Sequence, residues 1–292
     1  MHEPPKHIKF QNRQNPRSGF DLVDYEYILN YGKSDHSPFR PHIIEFFNVF
    51  LIQEGDGKHS IDFIDYPFER GTLFTIRKDQ IHWYHQIKEA KGKILIFTYE
   101  FLGSHLEKQE GLKTLQLFNE FLGVPKIQLS ATELNEINQL IERMSKEYFI
   151  INDHYSLEII RSELLILLAK LYRIKSANNQ VIGNRRYLSE FIVLQRLVEQ
   201  NVVKTLRVKD YASMMGLSTK TLNTITQNII NKSAKAFIDE ICATQIKRLL
   251  INTDLSIKEI AYQTGFEETT NFYKYFKRQT NTTPERFRSS KQ

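Results

Sequence analysis

Asp254-Leu255-Ser256-Ile257-Lys258-Glu259-Ile260-Ala261-Tyr262-Gln263-Thr264-Gly265-Phe266, followed by Phe272 and Phe276, decides the reading of this chain. Ile257, Ile260, Ala261 and Thr264 recur at helical spacing. Gly265 supplies the positive φ that a tight corner between two helices needs. Phe266 plugs that corner, and a second helix is predicted from about Glu268 through Phe272 and Phe276. The same layout occurs 49 positions earlier. There Val208 to Met215 forms the first helix, Gly216 turns, Leu217 plugs and Ser218 caps a helix running through Leu222, Ile225 and Ile229. Ala212 and Ala261 are small where the paired helices must approach closely. One glycine between two helices is common, whereas two such corners in register predict a pair of helix-turn-helix units.

Between them, Ser233 to Thr253 carries Phe237, Ile241, Ile246, Leu249 and Leu250 on one stripe. It reads as a single long helix tying the two units together. Two reading helices held this way can enter successive major-groove faces about 34 Å apart on one side of a duplex.

Charge agrees with a polyanionic partner. Residues 183–292 carry 18 Lys+Arg against 10 Asp+Glu, and residues 1–182 carry 22 against 24. All the excess of the +6 net charge therefore lies in the last third, as expected for a nucleic-acid-binding segment. The single cysteine, Cys242, excludes an intrachain disulfide and any zinc site built on two thiolates. No apolar run approaches the ~20 residues of a membrane span, and no secretory leader follows Met1, so a cytoplasmic protein is expected.

The first part of the chain has another period. Residues 1–20 hold Pro4, Pro5 and Pro16 and read as an irregular arm. From Val23 to Tyr99, short strands separated by turn signals such as Glu54-Gly55-Asp56-Gly57 predict a small β-sandwich or barrel. Helices follow. Ser130-Ala131-Thr132-Glu133 is a capping box ahead of Leu134, Ile137, Leu140, Ile141, Met144 and Tyr148. A second stripe, Ile160, Leu164, Leu167, Leu168 and Leu171, packs on the first, on the strands or on a second subunit. Ser176 to Gln180, with Gly183-Asn184, is the expected linker.

The C-terminal stretch from about Lys204 to Arg288 resembles the DNA-binding domain of the AraC/XylS family of bacterial transcription regulators. Ser256-Ile257-Lys258-Glu259-Ile260-Ala261, Gly265-Phe266, Phe276-Lys277-Arg278 and Thr283-Pro284-Glu285-Arg286-Phe287-Arg288 carry the resemblance. Departures gather in the first unit. Asn231 and Asn281 stand where the family usually has glycine at a helix end, and Asn tolerates the left-handed conformation. Ala234 replaces a proline, Cys242 an arginine, Thr226 an aromatic residue and Thr224 an arginine. The first unit is thus degenerate and the second close to the family pattern.

Helical geometry turns Leu222, Ile225 and Ile229 inward and Lys220, Asn223, Thr224 and Gln227 outward. The resemblance implies base contacts at Lys220, Asn223 and Thr224, residue types that suit guanine, adenine and thymine edges. In the second unit it implies base contacts among Thr269, Thr270, Asn271, Tyr273 and Lys274. Ser218, Gln227, Lys277 and Arg278 are assigned to phosphate, which positions without specifying.

Pro41-His42, Glu54-Gly55-Asp56-Gly57, Arg70-Gly71-Thr72-Leu73 and His82 resemble the cupin-like sensor domain of many family members. The implied fold is α+β and multidomain: an N-terminal cupin-like β-barrel with a helical extension, then an all-α domain with two helix-turn-helix motifs. The boundaries are an arm at 1–20, a sensor and dimerisation domain at 21–175, a linker at 176–186 and a DNA-binding domain at 187–292.

No metal or other cofactor is expected. The His-x-His pair of cupin enzymes is missing, and His42 and Glu45, like His82 and His85, point to opposite faces of a strand. His42, Phe46, Phe50, Phe74, His82 and Trp83 are the candidate lining of an effector pocket, with a filled core as the alternative. The expected function is ligand-responsive transcription regulation by a non-enzyme. Its partners are double-stranded DNA, a small-molecule effector, a second copy of the chain and RNA polymerase. A constitutive regulator whose barrel only dimerises is the main alternative. A cupin enzyme with a DNA-binding module and an alkylation-repair regulator are disfavoured by the missing histidine pair and the single cysteine.

Overall fold

The computed structural model of the chain describes residues 5–12, 15, 18–31, 37–85, 90–103, 115–119, 124–178 and 187–290. The chain forms two compact units, Pro5–Asn179 and Gln180–Gln292. Most of the expected linker falls outside the described residues; Ser176 to Asn178 still belong to a helix.

The strands of the first unit are β1 (Lys6–Ile8), β2 (Phe20–Asp24), β3 (His42–Ile44), β4 (Phe47–Glu54), β5 (Gly57–Ile61), β6 (Ile64–Phe68), β7 (Thr72–Ile76), β8 (Ile81–Tyr84), β9 (Lys91–Phe97) and β10 (Lys126–Gln128). A short α1 (Tyr25–Tyr31) follows β2, and α2 (Tyr99–Gly103) follows β9. The strands make two five-stranded sheets, ordered β1-β3-β8-β5-β6 and β10-β7-β4-β9-β2. Neither closes on itself or on the other, so the expected cupin-like barrel is not formed; the strands make two open sheets. The reason lies at the edges. β6 carries Asp65, exposed Ile64 and Pro67, and a proline edge offers no amide at that position. β1 and β10 are only three residues long, and β2 runs directly into α1.

Packing explains why some strands read as continuous apolar runs rather than as alternation. The second sheet is buried on both faces. Phe50, Ile52, Phe74 and Ile94 join Ile44, Ile61 and Tyr84 of the first sheet in one core cluster. Their neighbours Val49, Leu51, Leu73 and Leu95 pack in a second cluster with helices α3 (Ala131–Lys146) and α4 (Ser156–Asn178). Ser130 caps α3 with a reciprocal capping box to Glu133, which holds the Glu133 carboxyl below its usual range through bonds to the Ser130 hydroxyl and amide. The stripes at Leu134–Tyr148 and Ile160–Leu171 lie within that second cluster, so they form the unit's own core.

Among its described residues the second unit has only helices as regular elements: α5 (Leu188–Asn201), α6 (Val208–Met214), α7 (Thr219–Ile230), α8 (Ala234–Asn252), α9 (Ile257–Gln263), α10 (Thr269–Thr280) and α11 (Pro284–Ser290). The connector α8 buries Phe237, Ile238, Ile241, Cys242, Ile246 and Leu250, packing on α6 and α7 and on α9 to α11. Arg288 bonds the carbonyls of Leu250 and Leu255 at 2.8 and 2.7 Å, which ties α11 to the end of the connector. Among the described residues no helix is long and apolar enough to cross a membrane.

Candidate nucleic-acid interface and ligand cavity

Both helix-turn-helix corners have the same backbone solution. In the first, the Leu217 amide donates to the Ala212 carbonyl at 2.9 Å and the Gly216 amide to that of Ser213 at 3.1 Å. In the second, Phe266 donates to Ala261 at 2.9 Å and Gly265 to Tyr262 at 3.1 Å. These are paired six-to-one and five-to-two bonds, the Schellman arrangement that satisfies carbonyls at a helix end. It needs positive φ, and Gly216 and Gly265 have φ of 65° and 82°. The reading helices also end alike: Asn231 and Asn281 both take left-handed φ, at 54° and 59°, so asparagine replaces glycine there without loss of the cap.

Ser218 accepts from the Thr221 amide at 3.0 Å and caps α7. Leu222, Ile225, Thr226 and Ile229 are buried beneath it, and Lys220, Asn223 and Gln227 are exposed. Thr224 is half-buried and its hydroxyl donates to the Lys220 carbonyl at 3.0 Å. In α10, Phe272, Tyr275 and Phe276 are buried; Thr270, Asn271, Lys274, Lys277 and Arg278 are exposed, and Thr269 and Tyr273 are half-buried. Each unit therefore turns a polar helix face outward.

Not every side chain on that face is uncommitted. Asn223 donates to the Thr219 carbonyl at 3.0 Å and accepts from the Ala234 amide at 2.9 Å. The Tyr273 hydroxyl donates to Glu285, which pushes its pKa up to about 12. Gln227 donates to Asn231. The Arg278 guanidinium lies 5.5 Å from the Tyr275 ring centre. The Tyr275 hydroxyl in turn reaches the Asp239 carbonyl at 2.9 Å and fixes α10 to the connector. Cys242 lies beside it, its thiol pushed up to about 11 by burial, a packing residue rather than a nucleophile.

A family model described as a helix-turn-helix domain matches residues 211–290, and one described as an AraC-like ligand binding domain matches residues 26–169. The chain belongs to the AraC/XylS family. It is a sequence-specific DNA-binding transcription regulator, with an N-terminal ligand-binding domain and a C-terminal pair of helix-turn-helix units. Its AraC-family relatives include the Msm operon regulatory protein of Streptococcus mutans. That protein is 24% identical over 293 residues, spanning 95% of this chain and 98% of the relative. The HTH-type transcriptional activator RhaR of Escherichia coli is 22% identical, spanning 93% and 95%. Among solved structures, unsaturated fatty acid-bound ToxT from Vibrio cholerae is 18% identical with a TM-score of 0.43, covering 93% of this chain and 91% of that one. Both curated relatives are named as regulators.

In the first unit of this AraC-family chain, a cavity of about 540 Å³ opens between the sheets. His42, Phe46 and His82 line it, together with Asn48, Tyr84 and Phe10 of the arm. Phe50 and Phe74 are wholly buried in the core cluster and are absent from the lining. Trp83 follows His82 on β8 and pairs with Ser60, so its side chain projects to the opposite face of the strand. His59 was not anticipated. His42 pairs with His82 across β3 and β8, and His59 pairs with Tyr84 across β5 and β8. Strand register therefore gathers three histidines on the inner face. His59 Nε2 lies 3.1 Å from His82 Nδ1, and burial, with His42 and His85 adding to it, pushes the His59 pKa well down. Among the described residues no group of His, Cys, Asp or Glu has the arrangement of a metal site.

Proposed function

We propose that this regulator reads its operator with α7 and α10 and that a small molecule in the N-terminal cavity controls it. The observation that carries the DNA half is the repeated corner: two identical Schellman turns each present an exposed polar helix face. Base readout is assigned to Lys220 and Thr224 on α7 and to Thr269, Thr270, Asn271 and Lys274 on α10. Ser218, Gln227, Lys277 and Arg278 are assigned to phosphate. An arm at 1–20, a sensor at 21–175, a linker at 176–186 and a DNA-binding domain at 187–292 are the functional divisions. RNA polymerase is the further partner if the chain activates.

The effector half rests on the cavity's chemistry. Its apolar walls, from Phe10, Phe46 and Ile44, surround the polar groups of His42, Asn48, His82 and Tyr84, and Lys9, Asp21 and Asp24 also line it. The buried Asn48 Oδ1 has no hydrogen-bond partner, which favours a ligand that donates there. Residues Phe10 and Ile8 of the arm form part of the wall, so arm closure would couple to occupancy.

Homodimerisation is assigned to a face distinct from the helical core. Tyr155, just before α4, and Ile159 and Ile166 on α4 are exposed. A second copy would bury them, and sedimentation of the Ile159→Lys, Ile166→Lys chain as monomer would support this.

Selection of duplexes from a random pool, with and without candidate metabolites, tests the main reading. A single enriched motif is expected, with affinity shifted by one metabolite. Failure to enrich any motif at low salt refutes the DNA half.

A further inference from the structure

The two repeats align with an offset of 50 from the reading helix onward, so Asn231 matches Asn281, Asn223 matches Tyr273 and Ala234 matches Pro284. The resemblance places Asn223 and Tyr273 among the base readers. Both side chains instead turn toward the helix that follows their own. Asn223 Oδ1 accepts from the amide of Ala234, the first residue of α8, at 2.9 Å, while its Nδ2 donates to Thr219 within α7. Tyr273 bonds Glu285, the second residue of α11.

The substitutions explain each other. Proline at the first position of a helix removes an amide that would otherwise lack a partner. Pro284 does this in the second repeat. Ala234 does not, and its amide lies on a residue that is fully buried. An unpaired buried amide is costly, and Asn223 satisfies it. Bidentate adenine recognition needs both the oxygen and the nitrogen of an asparagine amide, and here both already bond the backbone, Oδ1 the Ala234 amide and Nδ2 the Thr219 carbonyl.

We infer that Asn223 and Tyr273 are positioning residues, clamps that set the angle of each reading helix against the next helix, and that they do not read bases. In the first repeat the clamp exists because Ala234 retains its amide. This inference rests on the assignment of α7 and α10 to the operator, but the clamp itself can be measured without DNA.

The test is a double-mutant cycle on the full chain with Asn223→Ala, Ala234→Pro and the double variant. Ser233 is extended, with ψ of 155°, so a following proline is accommodated and Ala234→Pro folds. In urea, Asn223→Ala is expected to raise the unfolding constant of the C-terminal unit about tenfold, the effect of one orphaned buried amide. In the Ala234→Pro background the same change is expected to cost less than about twofold, because no amide remains to be orphaned. Equal losses in both backgrounds overturn the clamp.

The second readout uses the duplex selected from a random pool by the parent chain, with each base pair varied singly. Asn223→Ala and Tyr273→Phe are expected to weaken every duplex by one common factor, and Ala234→Pro to restore affinity to Asn223→Ala. A loss confined to one base pair would make the residue a base reader and overturn the inference. If the parent selects no duplex, the operator assignment fails, while the urea cycle still decides the clamp.

Discussion

Gly216 and Gly265 occupy equivalent corners, yet their replacement by alanine should have unequal consequences. Both have positive φ, where an L side chain costs roughly 1–2 kcal/mol. At Gly216 an added Cβ would meet nothing within 4 Å, so Gly216→Ala should cost no more than that strain. At Gly265 the Cβ would fall 2.4 Å from the carbonyl oxygen of Val203. That oxygen is backbone, in the turn after α5, and cannot swing aside as a side-chain tip would. Overpacking adds roughly 1–3 kcal/mol, which brings Gly265→Ala to about 2–5 kcal/mol in total. Urea denaturation of the C-terminal unit, followed by helical circular dichroism, measures both. Gly216→Asn is the control: Asn231 and Asn281 already adopt this conformation, so it should cost less than alanine. Equal losses at the two glycines would refute the close approach of the α5–α6 turn to the second corner. A loss at Gly216 as large as that expected at Gly265 would refute the open surface there.

Lys274→Ala should weaken binding to a selected duplex by about 1–3 kcal/mol relative to random DNA if Lys274 reads a base, whereas equal losses on both would reassign it to phosphate. Lys277→Ala should flatten the dependence of log affinity on log salt by about one unit and leave base preference unchanged. Arg288→Lys should destabilise the C-terminal unit by about 1–3 kcal/mol, since a lysine ammonium cannot span the two carbonyls that the guanidinium bridges; an unchanged melting temperature would contradict the bridge. The N-terminal unit should lose stability in acid through His59. Its folded pKa lies below the unfolded value, so the unfolded chain binds the extra proton first. Stability is then full above about pH 7 and falls below about 6.5 by up to ~1.4 kcal/mol per pH unit. His59→Phe should flatten that slope, and an unchanged slope would place the titration elsewhere.

Local chemistry made much of the molecule readable from the chain alone. A capping box at Ser130 and Glu133, glycines at the two corners and apolar stripes at helical spacing each depend on residues within a few positions of one another. So does the left-handed cap at Asn231 and Asn281, which requires only that asparagine tolerate positive φ. The expected lining nevertheless placed both His82 and Trp83 in the pocket, although adjacent residues on a strand face opposite sides, and only His82 lines it.

What tertiary structure alone decided concerns partners distant in sequence. Whether ten short strands close or stay open depends on which edges meet, and no local pattern encodes that; Pro67 and the three-residue strands β1 and β10 leave the sheets open. His59 joins His42 and His82 only through the register of β3, β8 and β5. The orphan amide of Ala234 finds Asn223 only once α7 and α8 have packed. Sequence periodicity specifies which face of an element is apolar, whereas the pairing of those faces follows from long-range closure and from the need to satisfy each buried polar group.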